Sequence, residues 1–199
     1  LDKVVQIDRV LVVTGDDEIT EIAETYGAVV LRESVDSGLN SAIAKAVTYL
    51  QRQHISRMLV LPADIPLVSP VDLQTIVDAD KNEQLPPSAP RLALVAAGNS
   101  GGTNALLVSP PNLIEFRYGK DSYQYHLEQG QELGINVLSP VLLQVALDID
   151  TPRDLEILWL DHRKLRPDSR TRRWLKSNLP DAITEQLTDA SLPNEIPTT

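Results

Sequence analysis

The sequence predicts an α/β fold with a mostly parallel central sheet, and three observations predict it. The segments Arg9–Thr14 and Met58–Leu61 carry apolar runs without the alternation of a half-exposed strand, which suits strands buried on both faces. Segments with helical spacing of apolar residues alternate with such runs, the order that builds parallel sheets through crossover helices. The second run continues into Leu61-Pro62-Ala63-Asp64-Ile65-Pro66, so one carboxylate stands just past the carboxyl end of a strand. Ligands gather at that end of open α/β sheets. Asp64 equally suits a helix cap or a solvated turn, and its role depends on partners elsewhere in the chain.

Taken in order, Arg9–Thr14 is a strand that ends in Gly15-Asp16. Ile19, Ile22, Ala23 and Tyr26 then give the spacing of a helix over 17–26, which Gly27 stops. Ala28–Leu31 is the next strand. Asp36-Ser37-Gly38-Leu39-Asn40-Ser41 is turn-prone and leads into a helix over 41–52 with Ala42, Ile43, Ala46, Val47 and Leu50 on its apolar face. A glycine turn at a helix start offers free N–H groups to an anion or a base edge, although a plain N-cap needs no ligand.

After the Asp64 strand, Ser69-Pro70-Val71-Asp72 supplies an N-cap serine, proline at the first helical position and an acid at the third. Asp72 is therefore read as structural. Residues 78–90 form a polar loop, and Arg91–Ala96 and Ala105–Val108 are strands joined by the glycine-rich Gly98–Asn104. A short helix is expected over 110–116, and a longer one over 122–134 follows the turn Arg117-Tyr118-Gly119-Lys120-Asp121. Two cations beside a helix start suit a phosphate or carboxylate, or are scattered surface charges. His126, on the first turns of that helix, is read as a packed or solvated histidine. Strands are expected over 135–138 and 145–147. The second leads to Asp148-Ile149-Asp150, whose carboxylates at i and i+2 face one way and suit a hard divalent cation. Thr151-Pro152-Arg153-Asp154 repeats the helix-start pattern, which makes Asp154 a cap. Beyond 166 the chain turns basic, and 180–199, acidic and rich in Pro and Thr, is expected to be disordered.

Composition narrows the chemistry. At 199 residues the chain has room for one full domain and an appendage, here 1–165 and 166–199. Eighteen basic against 28 acidic residues give a net charge of −10, which argues against a nucleic-acid or anionic-membrane surface. The absence of cysteine removes disulfides, thiolate metal sites and thiol catalysis. No long apolar span or signal pattern is present, so a cytoplasmic protein is expected. Asp64, Asp148 and Asp150 together make an all-oxygen set of the kind that holds Mg²⁺ or Mn²⁺ carrying phosphates. A phosphate nucleophile is already ionised at neutral pH, so nucleotidyl transfer needs no histidine or cysteine base. The phosphate loop Gly-x-x-x-x-Gly-Lys-Ser/Thr is missing.

Five motifs in order carry a family resemblance: Gly38-Leu39-Asn40, Leu61-Pro62-Ala63-Asp64-Ile65-Pro66, Gly102-Thr103-Asn104-Ala105-Leu106-Leu107, Tyr118-Gly119-x-x-Ser122-Tyr123-x-x-His126 and Asp148-Ile149-Asp150-Thr151-Pro152. Over about Arg9 to Leu165 the chain resembles the 2-phospho-L-lactate / phosphoenolpyruvate guanylyltransferases of coenzyme F-420 biosynthesis, relatives of the molybdenum-cofactor guanylyltransferases. The resemblance implies a three-layer α/β/α arrangement of the nucleotide-diphospho-sugar transferase (glycosyltransferase-A-like) kind. It also implies Mg²⁺ on Asp64, Asp148 and Asp150. Thr103, Gly119 and Ser122 would hold the phosphorylated acid, and Gly38, Leu39 and Asn40 the guanine side. The implied reaction joins GTP to phosphoenolpyruvate, 2-phospho-L-lactate or 3-phospho-D-glycerate with loss of pyrophosphate. A homodimer and hand-off of the product to the next pathway enzyme are the partners it allows. Relative to the family, a first strand and a basic loop are expected ahead of Arg9, so the chain is read as N-terminally truncated. Two other readings remain: a sugar-nucleotide glycosyltransferase, since Asp148-Ile149-Asp150 is also an Asp-x-Asp, and an inactive nucleotide-binding remnant.

Overall fold

The computed structural model describes residues 7–35, 37–79, 86, 88–98 and 101–178. By contacts the chain divides into two compact units, 1–148 and 149–199. The boundary at 165/166 drawn from composition rests on a different criterion. The expected disordered end after 180, residues 80–85 and 87 of the polar loop, and Asn99 and Ser100 of the glycine-rich link lie outside the described residues.

The first unit opens with β1 (Leu11–Thr14), α1 (Asp17–Thr25) and β2 (Val29–Arg32). The two strands pair in parallel with Leu11 opposite Val29, as the β-α-β pattern requires. Asp16 starts α1 by accepting the Ile19 N–H at 2.8 Å. Then come α2 (Leu39–Arg52), β3 (Met58–Val60), α3 (Pro70–Ala79), β4 (Arg91–Ala96) and β5 (Thr103–Ser109). At the start of α3 the predicted cap forms: Asp72 Oδ2 accepts from the Ser69 N–H and Oγ at 2.9 and 2.6 Å.

The second sheet has the order β3-β5-β4, and both of its pairs are antiparallel. The mostly parallel sheet expected from the apolar runs thus holds for β1–β2 and not here. Continuous apolarity reports burial of both faces and says nothing about strand direction. The link between β4 and β5 is too short for a crossover, so these strands form a hairpin. Alternate residues of this sheet enter two clusters. Leu92, Leu94, Leu106 and Val108 join Ile43 and Leu50 of α2, whereas Ala93, Val95, Ala105 and Leu107 join Ile76 of α3. All seven residues of β5 are buried; in β3 only Met58 is, because β3 pairs on one side alone among the described residues.

Next comes α4 (Ser122–Glu132), pressed onto β4: a Cβ on Gly130 would stand 2.4 Å from Val137 Cγ2 and 2.8 Å from Leu92 Cδ2. Three expectations fail in this region. Residues 110–116 form no helix: a single turn, Leu113 N–H to the Pro110 carbonyl, is all that remains, and Pro111 disfavours helical backbone at the residue before it. The strand over 135–138 shrinks to one parallel bridge between Ala93 and Leu138. The strand over 145–147 is replaced by α5 (Leu143–Ala146), because the N–H groups of Val145 and Ala146 turn back to the Leu142 carbonyl.

The second unit holds α6 (Pro152–Leu160) and α7 (Arg170–Asn178). Thr151 and Asp154 form the reciprocal cap read from the sequence, with Pro152 in the first turn. No helix among the described residues is long and apolar enough to cross a membrane.

Candidate functional site

Strand direction brings Thr103 and the segment leading to Asp64 to one end of the second sheet. Because β5 runs against both neighbours, Thr103 lies opposite Ala96 at the end of β4, and the chain leaves Val60, opposite Leu106, toward the same end and Asp64. The buried Asn104 side chain donates from Nδ2 to the Val145 carbonyl at 3.0 Å, and Gly98 N–H donates to the Ala146 carbonyl at 2.8 Å. These bonds fix α5, two residues before Asp148. Ile65, next to Asp64, and Val145 enter one apolar cluster. The segments bearing Asp64 and Asp148 are therefore both anchored to this sheet end.

Among the described residues, the Asp64 and Asp148 carboxylates have no hydrogen-bond or ion-pair partner; Asp64 is exposed and Asp148 half-buried. Asp150 belongs to the second unit and is exposed, its N–H donating to Asp154 Oδ2 at 3.3 Å. No group of three or more His, Cys, Asp or Glu residues that would hold a metal ion is assembled among the described residues. In chemistry, the unpaired carboxylate oxygens of Asp64 and Asp148 fit a hard divalent cation.

The glycine turns, each weak in isolation, are tied to one another. The Asn40 carboxamide at the start of α2 clasps the main chain of Tyr118: Oδ1 accepts its N–H at 2.7 Å and Nδ2 donates to its carbonyl at 3.1 Å. Tyr123 N–H, in the first turn of α4, donates to the Gly101 carbonyl at 3.1 Å. Gly119 adopts φ 127°, a conformation open to glycine and rarely to other residues, and its missing Cβ would face open space. The neighbouring Asp121 is left-handed at φ 58° and leads into α4.

Beneath that turn lies a buried polar cluster. Thr103, Ser122 and His126 are 5%, 1% and 0% exposed. His126 Nδ1 is 3.1 Å from Thr103 Oγ1, Ser122 Oγ donates to the same oxygen at 3.3 Å, and Arg117 N–H donates to His126 Nε2 at 3.1 Å. Burial pulls the imidazole pKa down from 6.5 to about 4, so the ring is neutral at physiological pH. The rings of Phe116, Tyr118 and Tyr125 surround it at 6.5, 5.2 and 6.0 Å. Burial likewise raises the pKa of the Tyr118 hydroxyl.

Each residue read from the sequence now has a place. Gly38 is the exposed start of α2, with φ 83°, and Leu39 is 54% exposed beside it. Asn40 spends both ends of its amide on Tyr118. Thr103 and Ser122 face each other inside the cluster, and the Ser122 N–H already meets the Gly119 carbonyl at 3.2 Å. Arg117, one of the two cations beside the turn, lies over the Tyr125 ring at 5.0 Å. The packed reading of His126 holds, whereas its bonds to Thr103 and Arg117 and the bond of Asn104 to Val145 are not visible in the sequence. The spacing of Ser122 and His126, four apart on one helix, is the signal that puts both on one face.

Comparison with known proteins decides the family. A family model described as "Guanylyl transferase CofC like" matches residues 1–181. The chain belongs to this family. It is 38% identical over 152 residues to a 3-phospho-D-glycerate guanylyltransferase of Colwellia psychrerythraea, covering 76% of this chain and 69% of that one. It is 35% identical over 153 residues to a phosphoenolpyruvate guanylyltransferase of Conexibacter woesei, covering 76% and 66%. A 2-phospho-L-lactate guanylyltransferase of Methanothermobacter thermautotrophicus shares 29% over 149 residues, 75% of this chain and 62% of its own length. The chain thus spans about two thirds of these guanylyltransferases. Among solved structures, a cytidylyltransferase from Leptospira borgpetersenii aligns with TM-score 0.51 at 16% identity over 89% of this chain and 75% of that one. A CMP:2-keto-3-deoxy-manno-octonic acid synthetase aligns with TM-score 0.52 at 14% identity over 82% and 84%. At such identities these likenesses speak for a nucleotidyltransferase-like fold alone.

Proposed function

We propose that this CofC-like chain transfers GMP from GTP to a small phosphorylated carboxylic acid in coenzyme F-420 biosynthesis. Phosphoenolpyruvate, 2-phospho-L-lactate and 3-phospho-D-glycerate are the acids taken from its relatives' names. A phosphate oxygen of the acid attacks the α-phosphorus of GTP, the bond from that phosphorus to the β-phosphate bridging oxygen breaks, and pyrophosphate leaves. The convergence of the Gly38, Gly101 and Gly119 turns on the sheet end that anchors Asp64 and Asp148 carries the reading within a family of guanylyltransferases.

In this reading Thr103, Gly119 and Ser122 lie against the acid, with Arg117 and Lys120 supplying positive charge beside the helix start. Gly38, Leu39 and the main chain of Asn40 border the nucleotide, the Asn40 side chain being spent on Tyr118. In the first unit Asp64 and Asp148 are the residues that would hold Mg²⁺, and Asp150 is the ligand that the family resemblance adds. When bound, the ion offsets charge on the phosphates and on the leaving pyrophosphate. The helix-sheet-helix layering of the glycosyltransferase-A-like class, a homodimer and hand-off of the product are parts of the same proposal. Pyrophosphate release from GTP and Mg²⁺ with each acid in turn tests it. One acid is expected to give release above the acid-free control. No release with any of them, alongside calorimetric GTP binding, contradicts transfer and supports a nucleotide-binding remnant.

A further inference from the structure

His126 takes no part in the transfer chemistry, yet it is wholly buried and both ring nitrogens are hydrogen-bonded. The partners fix its tautomer. A backbone N–H only donates, so Nε2, which meets Arg117 N–H, carries no proton. A neutral ring then has its proton on Nδ1 and donates to Thr103 Oγ1. Ser122 Oγ donates to that same oxygen. With the Ser122 hydroxyl donating as well, Thr103 Oγ1 accepts twice and its own proton can be offered to a ligand, Ser122 Oγ at 3.3 Å being the acceptor in reach that competes for it. A buried hydroxyl in that state has only a proton to offer, which suits a carboxylate or phosphate oxygen.

Asn40 acts on the adjacent peptide. Its carboxamide satisfies both the N–H and the carbonyl of Tyr118, one residue beyond the amide that His126 accepts and one before Gly119. Two side chains from separate helices thus grip consecutive amides of one turn. We propose that His126 and Asn40 are positioning residues, which preform the turn 117–121 and leave the Thr103 hydroxyl a pure donor for the anionic acid substrate. The identity of that anion rests on the guanylyltransferase reading; the clamp itself does not. A turn held in its binding geometry before the ligand arrives spares the ordering cost at binding, so the clamp governs acid affinity more than the chemical step.

The test uses the full chain in two arms. In the first, long-range ¹H–¹⁵N correlation of ¹⁵N-histidine-labelled protein at neutral pH is expected to show His126 protonated on Nδ1 and bare on Nε2. A proton on Nε2, or a charged ring, overturns the proposal. In the second, Asn40→Ala is expected to raise KM for phosphoenolpyruvate about tenfold with kcat within about twofold and KM for GTP unchanged. Asn40→Asp, which keeps the acceptor for Tyr118 N–H, is expected to fall between it and wild type. A rise confined to KM for GTP assigns Asn40 to the nucleotide and overturns the proposal. His126→Gln, which can still accept from Arg117, is expected to keep more acid affinity than His126→Leu; equal losses indicate packing alone and also overturn it. If wild type turns over no acid, the transfer reading fails by itself, and the tautomer in the first arm still decides the clamp.

Discussion

The two sides of the candidate site are built on opposite principles. On the side proposed for the acid, Thr103, Ser122, His126 and Asn40 are interlocked by side-chain and main-chain hydrogen bonds, three of them beneath the surface. On the carboxylate side Asp64 and Asp148 are anchored only through neighbours, Ile65, Val145 and the α5 turn, and their own oxygens have no partners among the described residues. The first side makes a shape and the second keeps ligand atoms available. On the proposed reading, loss of the first set is expected to loosen the molecule, and loss of the second to leave the fold in place and stop the transfer.

Four substitutions or conditions sharpen that contrast, beginning with the largest effect. Asp148→Asn is expected to lower pyrophosphate release by about a thousandfold while the urea midpoint stays in place, because a phosphoryl transition state is stabilised mainly by positioned charge. An unchanged rate at limiting Mg²⁺ breaks the assignment. His126→Ala is expected to cost roughly 3 kcal/mol in urea unfolding, through the cavity and the stranded Arg117 N–H.

Acid acts on the same side. The folded pKa of His126 lies below its unfolded value, so between about 6.5 and about 4 the unfolded chain binds the extra proton. Stability is thus unaffected above pH 6.5 and falls as pH drops through that window, by about 1.4 kcal/mol per unit at its steepest. The groups facing the ring are the aromatic rings of Phe116, Tyr118 and Tyr125 together with Thr103 and Ser122, none of which titrates there. Urea titrations of wild type and His126→Gln at pH 7 and 5 are expected to diverge, the variant losing less. The smallest effect belongs to Leu39→Ser on the open side: stability within about 0.5 kcal/mol, since the side chain is 54% exposed, with a rise in KM for GTP.

The local parts of this molecule were legible in the sequence because their causes are local. Ser69 with Asp72 and Thr151 with Asp154 form the caps that their spacing announces; α1 and α2 stand where apolar periodicity puts them, and α3 and α4 start at the cap and the glycine turn that precede them. The five ordered motifs named the family that the whole-chain match then established. What failed depended on distant partners. The antiparallel pairing of β3, β5 and β4 is invisible in runs that report only burial. Val145 and Ala146 have strand-forming neighbours, but their N–H groups close a turn that Asn104, 41 residues away from Val145, holds in place. His126 is the packed histidine that was one of its two readings, but its partners Arg117 N–H and Thr103 meet it only in the fold. The clasp of Asn40 on the Tyr118 main chain, 78 residues on, was equally out of reach of local pattern.

The central claim is that the acid's phosphate oxygen attacks the α-phosphorus of GTP. Phosphoenolpyruvate carrying ¹⁸O in its phosphate group, incubated with the chain, GTP and Mg²⁺ and followed by ³¹P NMR, tests it most directly. The account predicts a guanylylated acid with ¹⁸O in the bridge between the two phosphorus atoms, and pyrophosphate without label. Release of free GMP carrying solvent oxygen, or labelled pyrophosphate, would contradict it.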